Sequence, residues 1–556
     1  MYTIGLDYGT NSVRAIIVNF ENGHILSQSV KNYPSGDMGV LLDSQDHNLA
    51  RQEPADYLLC LENVVIESLA SAEESGNFSK QDILGIGVDT TGSSPIPVDS
   101  KNIPISFHEP FKTNLNAKCW LWKDHTSHWE AGQIVELAHT HRPHYLGKIG
   151  GTYSSEWFWS KIWHCLRTDL EIFNAAHSWV ELCDFIPAVL SGISETGNIK
   201  RGICAAGHKA LYNDEWGGLP DAEFLGLLAP ELAELRSRLY DKAYNNDQIA
   251  GNLCEEMAQK LGLNPGIPIA IGAFDAHYGA IGAGVKKGTL VKIIGTSTCD
   301  VTVVETSKNT ADIPGICGIV NGSVLPGFHG IEAGQSAVGD IFNWFIDYVC
   351  ESDQSLFEEY TQQASTLSPG ESGLLSLDWH NGNRTILVDH LLTGMIIGQT
   401  LQTTRVEIFR SLIEATAFGA RAIIERIEEY GVEIDTIVCC GGIAEKNQFL
   451  MQIYADILGK TLKVSKSDQT PALGSAIAAF VCSGKSNGFA EIQNNIVQFK
   501  EQEYYHNSEN HGIYSKLYGI YMDCHNAFGG IGSNADLGYV MKELLKIKEE
   551  IKVNNS

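Results

Sequence analysis

Three stretches of the chain share one alternation of apolar and polar positions. An apolar run, IGLDY, breaks at Gly9-Thr10-Asn11-Ser12 and resumes as VRAIIVN. The run VKII breaks at Gly295-Thr296-Ser297 and resumes as TCDVTVVE. The third stretch, ILGIGVDTTGSSPIPVD, turns at Gly92-Ser93-Ser94. Short apolar runs bounded by Gly and small polar residues predict buried strands joined by tight turns. Gly9 and Gly295 lie 286 positions apart, close to half of the 556 residues, so the pattern predicts one unit used twice.

Elsewhere the period lengthens. Residues 54–72 carry Tyr57, Leu58, Leu61, Val64, Val65 and Leu69 at helical spacing. Residues 404–430 place Phe409, Leu412, Ile413, Thr416, Ala420, Ile423, Ile424 and Ile427 on one face, and Gly431 stops that helix. Asn22-Gly23 marks a hairpin before HILSQSV. Strands followed by helices recur in both halves, which predicts an α/β fold of two related domains facing one another across a cleft. The division is expected at 1–285, 286–505 and a polar helical tail, 506–556, with a frayed tip.

A chain of this length exceeds one hydrophobic core. Composition narrows the function classes further. With 39 Lys plus Arg against 67 Asp plus Glu, the net charge is −28, which opposes nucleic acid as a partner. No apolar run approaches a membrane span, and the N-terminus opens directly into a strand pattern. The 13 Cys residues are odd in number and lack a C-x-x-C pair, as suits reduced thiols in a cytoplasmic enzyme.

A strand–turn–strand bend leaves backbone N–H groups pointing into the turn, where an anion can accept them. Gly9, Thr10 and Asn11 in one turn, and Gly295, Thr296 and Ser297 in the other, are therefore candidate phosphate sites. Ordinary hairpin turns would show the same residues. Asp7 ends its strand as a candidate Mg²⁺ ligand, direct or through water, and Arg14 adds fixed positive charge. A Walker A loop is absent: before Gly459-Lys460 and Gly484-Lys485 the required glycine is Tyr454 and Ala479. Asp275 ends the apolar strand IPIAIGAFD before a Gly-rich helix start, so it can serve as a base or as a helix cap.

The ordered series GLDYGTNSVR, GVDTTGSSPIPVD, LWKDHT, CAAGHKALYNDEWGGLP, GAFDAHYGAIGAG, KIIGTSTCD, GIEAGQSAVGDIFNWF and CCGGIAEKNQF resembles the FGGY carbohydrate kinases. Within that family CAAGHKAL, GGLP and GIEAGQSAVGD set it nearest to members that act on L-ribulose. The resemblance implies two actin-like ATPase (ribonuclease H-like) domains, ATP, Mg²⁺ and a ketopentose in the cleft. It implies phosphorylation of the sugar's terminal hydroxyl in L-arabinose catabolism, with Asp275 as general base. It further implies nucleotide contacts at Gly441, Gly442, Asn447, Gln335 and Asp340, and sugar contacts at Ser93, Ser94, Trp122, Lys123, Asp124, Lys209 and Glu332. Glu332 is expected to be a buried, paired carboxylate. Family members often pair, so a homodimer is compatible. A kinase for another ketopentose or polyol, and a non-catalytic nucleotide or sugar sensor, are the rival readings. The histidines His125, His128, His139, His141 and His144 invite a zinc reading that the family does not share. Trp157, Phe158, Trp159 and Trp163 are expected to pack between the domains.

Overall fold

The computed structural model describes every residue except 77, 308–310, 351–355, 533–536, 538 and 555–556. The first Gly-Thr turn closes a hairpin. β1 (Tyr2–Tyr8) and β2 (Ser12–Asn19) pair antiparallel, and β3 (His24–Asn32) continues the meander. α1 (Pro54–Glu74) starts on a proline, whose missing N–H costs nothing at a helix start. β4 (Ile83–Thr90) returns parallel to β1. The third stretch departs from the hairpin pattern, because β5 (Pro95–Val98) pairs with β6 (Ser178–Glu181) instead of β4. Pro95 and Pro97 have no N–H to offer a central ladder. α2 (Ile203–Lys209), β7 (Ile249–Asn252), β8 (Pro268–Ala270) and β9 (Ala273–Phe274) lead to α3 (Asp275–Gly282). The first sheet runs β7-β8-β4-β1-β2-β3, with β9 paired to β4.

The second half repeats this arrangement. β10 (Gly288–Ile294) and β11 (Thr298–Glu305) form the second Gly-Thr hairpin. After β12 (Gly318–Asn321), β13 (Phe328–Ala333), α4 (Gly339–Trp344) and α5 (Arg405–Glu429), β14 (Ile434–Cys440) lies parallel to β10 as β4 does to β1. α6 (Gln448–Leu458), β15 (Thr461–Ser465), α7 (Thr470–Cys482) and β16 (Phe499–Tyr504) complete a sheet ordered β12-β13-β11-β10-β14-β15-β16. α5 begins with a reciprocal capping box between Thr404 and Glu407, which holds two otherwise unpaired N–H groups.

α7 belongs to the second half by sequence, yet it packs on the first sheet. Thr3 Oγ1 donates to Ala476 O at 2.8 Å. Gly5 and Gly87 make the approach possible, since a Cβ there would stand 1.9 Å from Ala472 O and from Ser475 O. α3 meets α7 in the same way at Gly474, against Tyr278 O. Gly87→Ala is therefore expected to lower stability by about 1–3 kcal/mol through overpacking, read as a lower urea midpoint.

One expectation needs correction, and one gains detail. The helical tail beyond 505 packs one face on the second core: α8 (Ser508–Phe528) buries Tyr514, Leu517, Tyr521 and Cys524. α9 (Val540–Asn554) seats Val540, Leu544 and Ile547 in the same core. The expected frayed tip, at 555–556, lies outside the described residues. The Trp cluster packs mainly within the first half, around Trp120 and Trp179, and Val320 is its contact from beyond residue 285. Among the described residues no helix is long and apolar enough to cross a membrane.

Candidate active site

Each Gly-Thr bend is closed by one hydrogen bond of 2.9 Å, Gly9 N–H to Ser12 O and Gly295 N–H to Ser297 O. The N–H groups of Thr10, Asn11, Thr296 and Ser297 find no acceptor among the described residues. Unpaired amides at a bend are free to bind an anion. The first bend is braced by its side chains: Thr10 Oγ1 accepts from Trp122 Nε1 at 3.0 Å, and Asn11 Nδ2 donates to Met38 O at 2.6 Å. The second is braced from behind, where Val338 N–H reaches Thr296 O at 2.7 Å and Asp340 N–H reaches it at 3.1 Å. Gly441 lies beside this bend with a φ of 95°, and a Cβ on it would stand 2.5 Å from Ile294 O.

The strand register assembles three carboxyl groups. Asp7 on β1 is level with Asp89 on β4, and β9 pairs with β4 so that Asp275 follows just beyond. Asp7 is ion-paired with Arg14 at 3.0 Å. Asp89 Oδ2 accepts from Ser475 Oγ at 2.6 Å, while its Oδ1 is buried without a hydrogen-bond partner among the described residues. Burial and the charge of Asp7 push Asp89 well above the usual carboxylate range. Burial also raises Asp7, against the pull of Arg14. Asp275 is raised to about 7 by burial and by Asp7. Its Oδ1 accepts from Ala276 N–H at 2.7 Å, so it stabilises the start of α3 as well as facing the cluster. Asp89 was legible in principle, because GVDT repeats the Gly-apolar-Asp of GLDY.

Lys209 and Glu332 join the two halves across this cluster. Lys209 Nζ meets Glu332 Oε1 at 2.9 Å and lies 5.1 Å from the Trp157 ring centroid. Burial alone would push Glu332 up, but the Lys209 ammonium holds it well below the usual range. Lys209 is thus buried and paired, unlike most lysines.

Other candidates are already engaged. Asp124 is fully buried, gives Oδ2 to Arg51 and Ala50 N–H, and gives Oδ1 to Thr126. It is engaged on both oxygens inside the first half. Ser93 donates to Glu181, whose other oxygen takes Ser94 N–H at 2.7 Å. Ser94 Oγ lies 3.2 Å from Thr91 Oγ1, so both serines sit inside a buried network. Lys161, which burial pulls down to about 8, backs that turn through Ser93 O at 2.8 Å. Lys123, partly exposed beside Trp122, makes no side-chain hydrogen bond or ion pair among the described residues.

On the nucleotide side, Gln335 is the clearest departure. Its side chain donates to Asp378 at 2.7 Å and to Thr416 O at 2.8 Å, and accepts from Lys292 at 3.1 Å. Both amide donors are used, and Oε1 keeps one lone pair. Asn447 uses Oδ1 to cap α6 at Leu450 N–H, 2.9 Å, which leaves its amide donors. Asp340 is exposed and Gly442 opens onto free space. Among the described residues, the side chains at metal-ligand spacing are His208, His277 and Glu332.

Models of known families match both halves. The N-terminal domain of the FGGY family of carbohydrate kinases matches residues 2–282, and its C-terminal domain matches 290–483. The chain is 42% identical over 504 residues to a ribulokinase of Vibrio parahaemolyticus, covering 87% of this chain and 88% of that one. It is 39% identical over 574 aligned positions to a ribulokinase of Shouchella clausii, covering 99% and 98%. Among solved structures, a xylulose kinase from Rhodospirillum rubrum superposes with a TM-score of 0.78 at 19% identity, covering 95% and 99%. Plasmodium falciparum glycerol kinase with ADP gives 0.75 at 16% identity, covering 94% and 98%. These share the fold, and the two repeated sheets are the actin-like ATPase architecture. With a family model on each half and duplicated amide bends beside a cluster of carboxylates, the chain belongs to the FGGY family of carbohydrate kinases.

Proposed function

We propose that this chain phosphorylates L-ribulose at its terminal hydroxyl with ATP, yielding L-ribulose 5-phosphate in L-arabinose catabolism. The observation that carries the reading is Asp275, raised to about 7 beside Asp7 and next to the Lys209–Glu332 pair. A base poised near neutral pH is what proton removal from a sugar alcohol requires. The relatives named ribulokinase support L-ribulose as the sugar.

In this reading Asp275 accepts the hydroxyl proton as the phosphoryl group transfers. The amides of Thr10, Asn11, Thr296 and Ser297, the glycines Gly9 and Gly295, and Arg14 hold the phosphates from two sides. Gly441, Gly442 and the Asn447 amide line the nucleoside, with Asp340 nearby. Lys209 and Glu332 hold sugar hydroxyls, and Trp122 and Lys123 border them. Asp7 would hold Mg²⁺, direct or through water, and the unpartnered Asp89 Oδ1 beside it suits an all-oxygen donor set. Such an ion, when bound, neutralises charge on the phosphates. We place the division between lobes at 285/286 and the protein's action in the cytoplasm. The latter is supported by 13 cysteines without a disulfide.

The deciding experiment is ADP release in a coupled assay over a panel of ketopentoses, pentitols and glycerol. L-Ribulose should give the highest kcat/KM; a pentitol or glycerol giving a higher value overturns the assignment. Beside its amide, Thr296 offers a hydroxyl to the same phosphate; Thr296→Val keeps the amide and removes that hydroxyl donor, an interaction of about 1.5–3 kcal/mol. It should reduce kcat/KM for ATP roughly 10- to 100-fold, with the circular dichroism spectrum unchanged.

A further inference from the structure

Two buried histidines play no part in that mechanism. His208 sits on α2 next to Lys209, and His277 sits on α3 two residues after Asp275. Their rings pack with centroids 4.5 Å apart, and neither is exposed by more than 1%. Both point at one atom. His208 Nδ1 lies 3.4 Å and His277 Nε2 lies 3.5 Å from Glu332 Oε2, while Lys209 holds the other oxygen. Behind, His208 Nε2 is 3.0 Å from Ser323 Oγ.

Both separations are within reach, but the groups are not aligned: among the described residues His208 Nδ1, both nitrogens of His277 and Glu332 Oε2 are buried without a hydrogen-bond partner. Unpaired buried polar atoms are rare, and each costs about 1–3 kcal/mol. The two histidines come from the first lobe, whereas Glu332 and Ser323 come from the second. A small shift of one lobe against the other would align them, and catalytic hydrogen bonds commonly tighten only when substrate is bound.

We propose that His208 and His277 are positioning residues of the sugar site, which donate N–H to Glu332 Oε2 as the lobes close on the sugar. This rests on the sugar-kinase reading above. With Lys209 on Oε1 and two imidazoles on Oε2, the Glu332 carboxylate is fixed as an acceptor, and its remaining lone pairs face the sugar's hydroxyls. Burial keeps both rings neutral, His277 falling to about 4, so each carries one N–H. The single Ser323 hydroxyl proton can go to Val320 O at 3.2 Å or to His208 Nε2 at 3.0 Å; turned to Nε2, it leaves the imidazole proton on Nδ1, the atom that faces Glu332. The same three side chains stand at metal-ligand spacing. The Lys209 ammonium on the same carboxylate disfavours a second cation there.

The test uses paired variants. His277→Gln and His208→Asn keep a donor near the atom that faces Glu332; His277→Leu and His208→Leu remove it. Sugar KM and kcat are measured with the sugar that the wild type turns over best, and sugar affinity is measured separately by tryptophan fluorescence. The Leu variants should weaken sugar KM and affinity at least about tenfold, with ATP KM within about twofold, and Gln and Asn should recover most of the loss. Should a Leu variant fail to fold, Ser323→Ala, which frees the His208 tautomer, should weaken sugar affinity about threefold. Three results overturn the proposal: unchanged sugar binding in the folded variants, Gln and Asn as impaired as Leu, or stoichiometric zinc in the purified wild type whose removal abolishes sugar binding. If another ketose proves to be the substrate, the functional assignment fails while this test stands with that sugar. A wild type that binds no sugar of the panel overturns both.

Discussion

Asp275→Asn is expected to lower kcat for sugar phosphorylation by about 10²–10⁴-fold while leaving the KM of both substrates within a few-fold. The change keeps the size of the side chain and its bond to Ala276 N–H, and removes the ability to take a proton. The pH dependence follows from the carboxyl at about 7. In the wild type, kcat/KM should rise with pH through about 7 and then level, and the variant should lose that limb. Because Asp7 and Asp89 adjoin, the midpoint belongs to the cluster. Stability runs the opposite way. Between an unfolded carboxyl near 3.8 and the folded one near 7, the native state binds the extra proton, so stability grows as pH falls across that window. Above it, the buried charge costs stability. Asp275→Asn should therefore raise the melting temperature most at about pH 8 and least at about pH 5, a paired gain in stability and loss of activity. An unchanged kcat would remove Asp275 from the mechanism.

Lys209→Met should be nearly as severe, by a different route. It leaves Glu332 buried beside two neutral histidines without its directly bonded ammonium, and breaking one side of a buried pair costs about 3–5 kcal/mol. Urea unfolding should show that loss, and sugar KM should rise more than 100-fold. Adding Glu332→Gln to Lys209→Met should restore most of the stability, since the stranded charge is gone, without restoring sugar binding. That non-additivity separates the ion pair's structural contribution from its contact with substrate. Additive losses would mean that the two side chains act independently.

What the sequence disclosed, and what it withheld, divides along physical lines. Local patterns were reliable. The two Gly-Thr hairpins, α1 and the capped α5 depend on residues near one another, and the structure places them where their periodicity put them. Features set by register were hidden. Asp89 gains its place only because β4 lies parallel to β1, level with Asp7. His208 and His277 meet Glu332 from separate elements, 124 and 55 residues away in the chain. Hydrogen-bond saturation was hidden too. Gln335 and Asp124 have the polarity of ligand-binding residues, and each is engaged in a buried internal network that composition cannot reveal. Polar residues near a cleft can be its walls.

The central claim is that the duplicated bends and Asp275 transfer a phosphoryl group to a sugar alcohol. Phosphorus-31 NMR of the wild type with Mg-ATP and L-ribulose tests it directly. The account predicts a sugar phosphomonoester at the terminal carbon appearing in step with ADP, one for one. ADP accompanied only by inorganic phosphate, or no ADP at all, would contradict it.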